Sequence, residues 1–189
     1  MKTSMKNSLT AATVGGWRKL KLLAVCAAVL GLALAPAWAD GNEGKTFLVH
    51  AKTSLKLDDA QICAVPNVAW AALAQGYQVT ILFDASGVTA LKKGGMFGGS
   101  KTPLDKARLP ERERQSLAKQ LNEPLENIPH DYGEYLRFLK ARKGVNLVAN
   151  RTMMLLYKIG EDQIEPAVTP IGLEEMARVF KSADVYVAY

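Results

Sequence analysis

The sequence predicts an α/β fold, a three-layer sandwich on a mostly parallel five-stranded sheet. Three observations lead there. Short runs rich in β-branched and aromatic residues, "TFLVH" (46–50), "YQVTILF" (77–83) and "VNLVA" (145–149), are apolar enough to be strands covered on both faces. Segments with helical periodicity separate them, so the order reads β-α-β-α-insert-α-β-α-β-α-β. Beyond an amino-terminal leader about 150 residues remain, enough for one domain with a full core.

The leader is residues 1–39, read as a signal peptide. Arg18, Lys19 and Lys21 precede "LLAVCAAVLGLALA", and Ala37 and Ala39 are the small residues that cleavage after Ala39 needs. Gly31 and Pro36 interrupt the uncharged run before it reaches the roughly 20 residues of a membrane span. Val25 is too large for a lipid-attachment site at Cys26. Removal changes the charge argument, because the leader holds Lys2, Lys6, Arg18, Lys19 and Lys21 and no acidic residue, and the formal +6 falls to +1. A near-neutral exported domain, residues 40–189, does not read as a nucleic-acid binder. Its expected place is the periplasm, where paired cysteines form disulfides, yet Cys63 is its only cysteine.

Along that domain, "DDAQICAVPNVAWAALAQG" reads as a helix capped by Asp58 or Asp59 and ended by Gly76, with Pro66 kinking it or marking its first turn. "DASGVTALKKGG" turns at Gly87 into a short helix stopped by Gly94 and Gly95. Residues 94–130 read as an insertion over the surface, with one helix from Pro110, suited to a first helical position, to Asn122. Asp131 and Glu134 form a reciprocal cap for a helix with the apolar stripe Tyr132, Tyr135, Leu136 and Leu139, closed by Gly144. After the strand ending at Ala149 come a helix from Thr152 to Lys158, a short strand at Val168, a helix with Leu173, Met176, Ala177 and Phe180 on one face, and the closing strand "DVYVAY".

In open parallel sheets ligands gather beyond the carboxyl ends of the strands, which selects His50, Asp84 to Gly87, and Asn150, Arg151 and Thr152. His50 reads as a histidine hydrogen-bonded to loop backbone before it reads as a base or ligand. Zinc requires more ligands than His50, His130 and Cys63 supply. A copper site would draw on His50, Cys63, Met153 or Met154, but paired methionines at a helix start read as core, so no metal and no cofactor are expected. In "GGMFGGSKT" Gly94 and Gly99 have the gap of a phosphate loop, but Lys101 and Thr102 come one residue late and the stretch follows a helix. Thr53 and Ser54 make a weak flavin-phosphate signal, broken by Leu55, Lys56 and Leu57. Ser86 lacks the glycine of a nucleophile elbow and reads as a cap. Cys63 shares a helix face with Pro66 and Trp70, surroundings that raise a thiol's pKa and keep it inert.

Together "AALAQGYQVTILFDASGV", "FLKARKGVNLVAN" and "IGEDQIEPAVTPIGLEEMARVFKSADVYVAY" resemble, in order and over most of the exported domain, the DsrE/DsrF-like small proteins of sulfur transfer. The resemblance implies a symmetric homo-oligomer and a place in sulfur or redox metabolism. It also implies a sulfur-carrying cysteine at the strand tip, often as Cys-x-x-Cys in exported relatives. Those places hold Asn150 and Met153 here, and neither is a thiolate nucleophile. The expected function is therefore a binding or assembly protein, with His50, Asn150, Arg151 and Thr152 as ligand-binding residues. Asn150 and Thr152 equally suit a helix cap, and Arg151 suits an anion. The alternatives are a sulfur carrier or sulfurtransferase using Cys63, and a small-ligand or metal binder at the sheet's carboxyl edge.

Overall fold

Strands β1 (Thr46–Ala51), β2 (Gln78–Phe83), β3 (Val145–Asn150), β4 (Thr169–Ile171) and β5 (Val185–Ala188) form a single sheet in the order β4-β3-β2-β1-β5. All four neighbouring pairs are parallel. The computed structural model describes residues 41–94 and 99–189, and these bear out the α/β class and the five strands. The signal-peptide reading and the centre of the glycine-rich stretch lie outside the described residues.

Parallel neighbours cannot be joined by hairpins, so each connection carries a helix. Helix α1 (Asp59–Ala74) joins β1 to β2, with the Asp58 carboxylate accepting the Gln61 N–H as its cap. Between β2 and β3 lie a 3₁₀ helix (Ala85–Leu91), α2 (Glu111–Leu121) and α3 (Tyr132–Lys140). Helix α4 (Arg151–Leu156) follows β3, and α5 (Leu173–Ser182) carries the chain from β4 at one edge to β5 at the other.

Alternation along the strands divides the side chains between two unequal faces. Val49, Ala51, Val79, Ile81, Phe83, Val145, Leu147 and Ala149 point to one face and join the large core with Ile62, Val65 and Ala69 of α1 and Tyr135, Leu136 and Leu139 of α3. Each buried Val, Leu, Ile or Phe side chain among them contributes about 1.5–3 kcal/mol. The opposite face holds the small cluster of Leu48, Leu82 and Ile171, covered by Met176, Val179 and Ala183.

Several elements differ from their expected form. Pro66 sits inside α1 rather than in its first turn; it is buried, and the ring's packing offsets the N–H it cannot give to Ile62. Pro110 is the N-cap of α2, not its first residue, and Asn122 closes that helix in the left-handed region at φ +52°. Asp131 caps α3 through the Glu134 N–H, but the Glu134 carboxylate reaches the N–H of His130, one residue beyond a reciprocal box. The face that α5 buries is Met176 and Val179, continued by its C-cap Ala183, while Leu173 is 58% exposed and Phe180 37%, because a single helix lies over a short sheet and leaves its flank uncovered.

The stretch expected to run over the surface sends Leu104, Leu109, Leu117 and Ile128 into the large core. Arg114 fastens it. The guanidinium, 7% exposed, donates to the carbonyls of Leu125, Ile128 and Pro129 at 2.9–3.2 Å and pairs with Glu111 at 2.7 Å. Arg114→Ala strands those carbonyls in the interior and should cost about 2–4 kcal/mol. Urea denaturation of the variant checks this, and a loss below about 0.5 kcal/mol would show that the carbonyls find other partners.

Candidate functional site

At the carboxyl rim of the sheet the parallel register sets Tyr186 beside Leu48, His50 beside Leu82, and Leu82 beside Val148. All lie on the α5 face. One step further on the same face, His50, Asp84 and Asn150 follow Leu48, Leu82 and Val148, and with Tyr186 of β5 they meet as one row. Asn150 Nδ2 donates to Asp84 Oδ1 at 2.8 Å, His50 Nε2 lies 3.0 Å from Asp84 Oδ2, and His50 Nδ1 lies 2.9 Å from the Tyr186 hydroxyl. The row crosses four strands, β3, β2, β1 and β5.

Charge states follow from the donors. Burial pushes the Asp84 carboxyl up, but the Ala85 N–H at 2.7 Å, the Asn150 amide and His50 outweigh it and hold Asp84 below the usual carboxylate range. Asp84 is therefore ionised at neutral pH and only accepts. Burial lowers the His50 pKa, with the Asp84 hydrogen bond and charge opposing without reversing it, and the Lys52 charge adding to the lowering. A neutral His50 must then carry its proton on Nε2, toward Asp84, and accept the Tyr186 O–H at Nδ1. The Phe180 ring stands edge-on to His50 at 5.2 Å and shields it.

The remaining groups fix this row in place. Asn150, 3% exposed, accepts the N–H groups of Thr152 and Met153, so the same amide caps α4 and steadies Asp84. Ala85 holds φ +45°, a strained value for a residue with a Cβ, with its N–H taken by Asp84. Gly87 lets the 3₁₀ helix approach β1, since a Cβ there would meet the Ala51 carbonyl oxygen at 2.3 Å. Ser86 Oγ donates to the Lys52 carbonyl and accepts the Ser54 N–H, tying the loops after β1 and β2 together.

Of the residues singled out from the sequence, His50 and Asn150 meet through Asp84. His50 bonds to side chains rather than to the expected loop backbone, because β5 lies beside β1 and presents Tyr186. Thr152 is an exposed member of the α4 cap. The Arg151 guanidinium bonds Glu161 at 2.6 Å and the Pro170 carbonyl at 3.3 Å. Tyr186 escaped sequence reasoning; its only signal is the alternation of "DVYVAY", which has no meaning until the neighbour of that strand is known.

Cys63 lies on α1, which packs on the opposite face of the sheet from the row. It is half-buried and lines a surface groove of about 650 Å³ together with Asp59, Lys106, Arg108, Glu113 and Tyr132. Burial pushes its thiol up; a hydrogen bond to Tyr132 opposes this, and the charges of Glu113 and Asp59 add to the rise. Tyr132 in turn donates to Glu113 at 2.9 Å. The thiol is protonated at neutral pH, the unreactive form.

No protein-family model matches the chain, and no curated protein matches its sequence. Solved structures do. The protein of unknown function MTH1491 from Methanobacterium thermoautotrophicum superposes with a TM-score of 0.50 and 11% identity, over 77% of this chain and 99% of that one. The ychN protein from E. coli superposes with a TM-score of 0.46 and 16% identity, over 77% of this chain and 98% of that one. At 11% identity the MTH1491 match is a likeness of fold.

The lowered His50 pKa gives stability a sign. The unfolded chain binds a proton on this histidine near pH 6.5 and the folded chain only at lower pH, so stability is complete above about 6.5 and falls as pH drops toward the folded value. The Asp84 contribution is lost only below about pH 4. Urea midpoints from pH 7.5 to 5 should fall for the wild type and fall less for His50→Gln. Asp84→Ala, which leaves three donors without their acceptor, should cost about 1–3 kcal/mol at pH 7.5 in the same assay.

Proposed function

We propose that this chain is an exported DsrE/DsrF-like protein that acts as a binding or assembly subunit, linked to sulfur or redox metabolism, and does not carry sulfur at its strand tip. The observation that carries the reading is the commitment of Asn150. Where the family holds a sulfur-carrying cysteine, this chain has a buried amide that caps α4 and donates to Asp84, leaving no nucleophile to present. Met153, at the second such place, packs against the large core. The pattern of residues 1–39 supports export and a periplasmic location as part of this reading.

Assembly with further copies of the chain is supported by apolar side chains that the described residues leave uncovered. Leu155 and Leu156 on α4 are each 70% exposed, Leu173 of α5 is exposed as well, and the Phe180 and Tyr186 rings meet where α5 and β5 cover the sheet thinly. Uncovered apolar surface of this kind marks contact sites.

A sulfur carrier using Cys63 is the second reading, favoured by the groove onto which that thiol opens. One experiment separates them. In persulfide formation the thiolate attacks a sulfane-sulfur donor, takes one sulfur atom, and the remainder of the donor leaves as the reduced fragment. Incubation with thiosulfate or a polysulfide, followed by intact mass, should leave the protein unchanged. A gain of about 32 Da, lost on reduction and absent in Cys63→Ser, would establish the carrier instead. Light scattering of the purified protein should give a mass above that of one chain, and a monomer at micromolar concentration would remove the assembly half of the proposal.

A further inference from the structure

Between the loop after β1 and the 3₁₀ helix after β2 runs a second groove, of about 520 Å³, which shares Leu55 and Pro103 with the Cys63 groove but is not lined by Cys63 itself. Its walls are apolar: Leu55, Leu57, Ala90, Pro103 and the ring of Tyr157. Leu57 is 75% exposed and Tyr157 41%, a cost in water that a ligand lying between them would recover.

The polar groups of the groove are selective. Ser86 Oγ already donates to the Lys52 carbonyl, and Thr89 Oγ1 to the Ser86 carbonyl, so neither has a proton to offer. Free donors come from Lys56 and Lys92, both exposed at the groove, and among the described residues that line it none is a carboxylate. Lys92 spends one N–H on the Lys158 carbonyl at 3.4 Å, which holds its ammonium in place and leaves two N–H groups free. The volume lies within the range of small-molecule sites, and the position, beyond the carboxyl ends of β1 and β2, is where open parallel sheets bind ligands.

We propose that this groove binds an amphipathic organic anion, with its apolar body between Leu55, Leu57 and Tyr157 and its carboxylate or sulfonate head at Lys56 and Lys92. The inference deepens the binding reading above by naming a ligand class. It stands apart from the sulfur question, which the mass experiment decides whether or not this groove binds anything.

The test uses calorimetric titration of the purified protein with three probes that have straight alkyl tails of nearly equal length and differ in the head: decanoate, decanol and decyltrimethylammonium. Decanoate should bind at least about tenfold more tightly than the cation. Lys56→Gln combined with Lys92→Gln should remove that preference, and Leu57→Ser should weaken all probes alike. These side chains are at the surface, and circular dichroism should report an unchanged fold. No binding of decanoate at about 1 mM, equal binding of the cation, or undiminished decanoate binding in the double lysine variant would each overturn the proposal.

Discussion

One half-buried carboxylate holds the carboxyl rim of this sheet together. Asp84 collects three donors that outweigh the effect of its burial: the Ala85 N–H, the Asn150 amide and the His50 Nε2–H. Each donor then orders something else. Asn150 is free to accept the first N–H groups of α4, His50 is fixed in the tautomer that accepts from Tyr186, and Ala85 is kept at its left-handed φ. Four neighbouring strands are thereby coupled at the end where they would otherwise fray.

The two faces of the sheet set the balance between rigidity and contact. On one side α1, α3 and the segment fastened by Arg114 bury a continuous core with Phe83, Tyr135 and Leu147 at its centre. On the other, three fully buried side chains lie under a single helix, and α5 itself has no fully buried residue. Local opening is least costly where few apolar contacts are lost, which makes the α5 and β5 side the soft side of the domain. It is also the side whose aromatic residues, Phe180 and Tyr186, remain partly in water. A partner chain seated there would add apolar burial and protect the outer end of the His50 row at once.

Sulfur chemistry needs a thiolate that is both formed and presented. The strand tip presents an amide, and the one thiol among the described residues is kept protonated on the far side of the sheet. What the surface offers instead is shape and charge: a groove with apolar walls and two ammonium groups, and apolar patches on α4 and α5. These are the materials of recognition.

Local chemistry alone was enough to read much of this fold. The β-branched runs of β1, β2 and β3 declare themselves by composition, Asp58 and Asp131 by their capping positions, and Asn150 as a helix cap by its place between a strand and an apolar run. These signals involve neighbours a few residues apart, so they survive in the linear order. The anchoring of the stretch from 99 to 130 in the core was not legible, because scattered Gly and Pro look like surface while Leu104, Leu109 and Ile128 show no periodicity to reveal that tertiary contacts bury them. The row at the rim was hidden for a similar reason: His50 and Tyr186 are separated by 136 positions, and only the crossing of α5 from β4 to the far edge makes them neighbours. Sequence by itself thus determined the strands and the caps, which are properties of residues and their immediate surroundings. Tertiary structure decided which polar groups share protons and which apolar groups stay in water, because both depend on strand order, and strand order is set by how the whole chain packs.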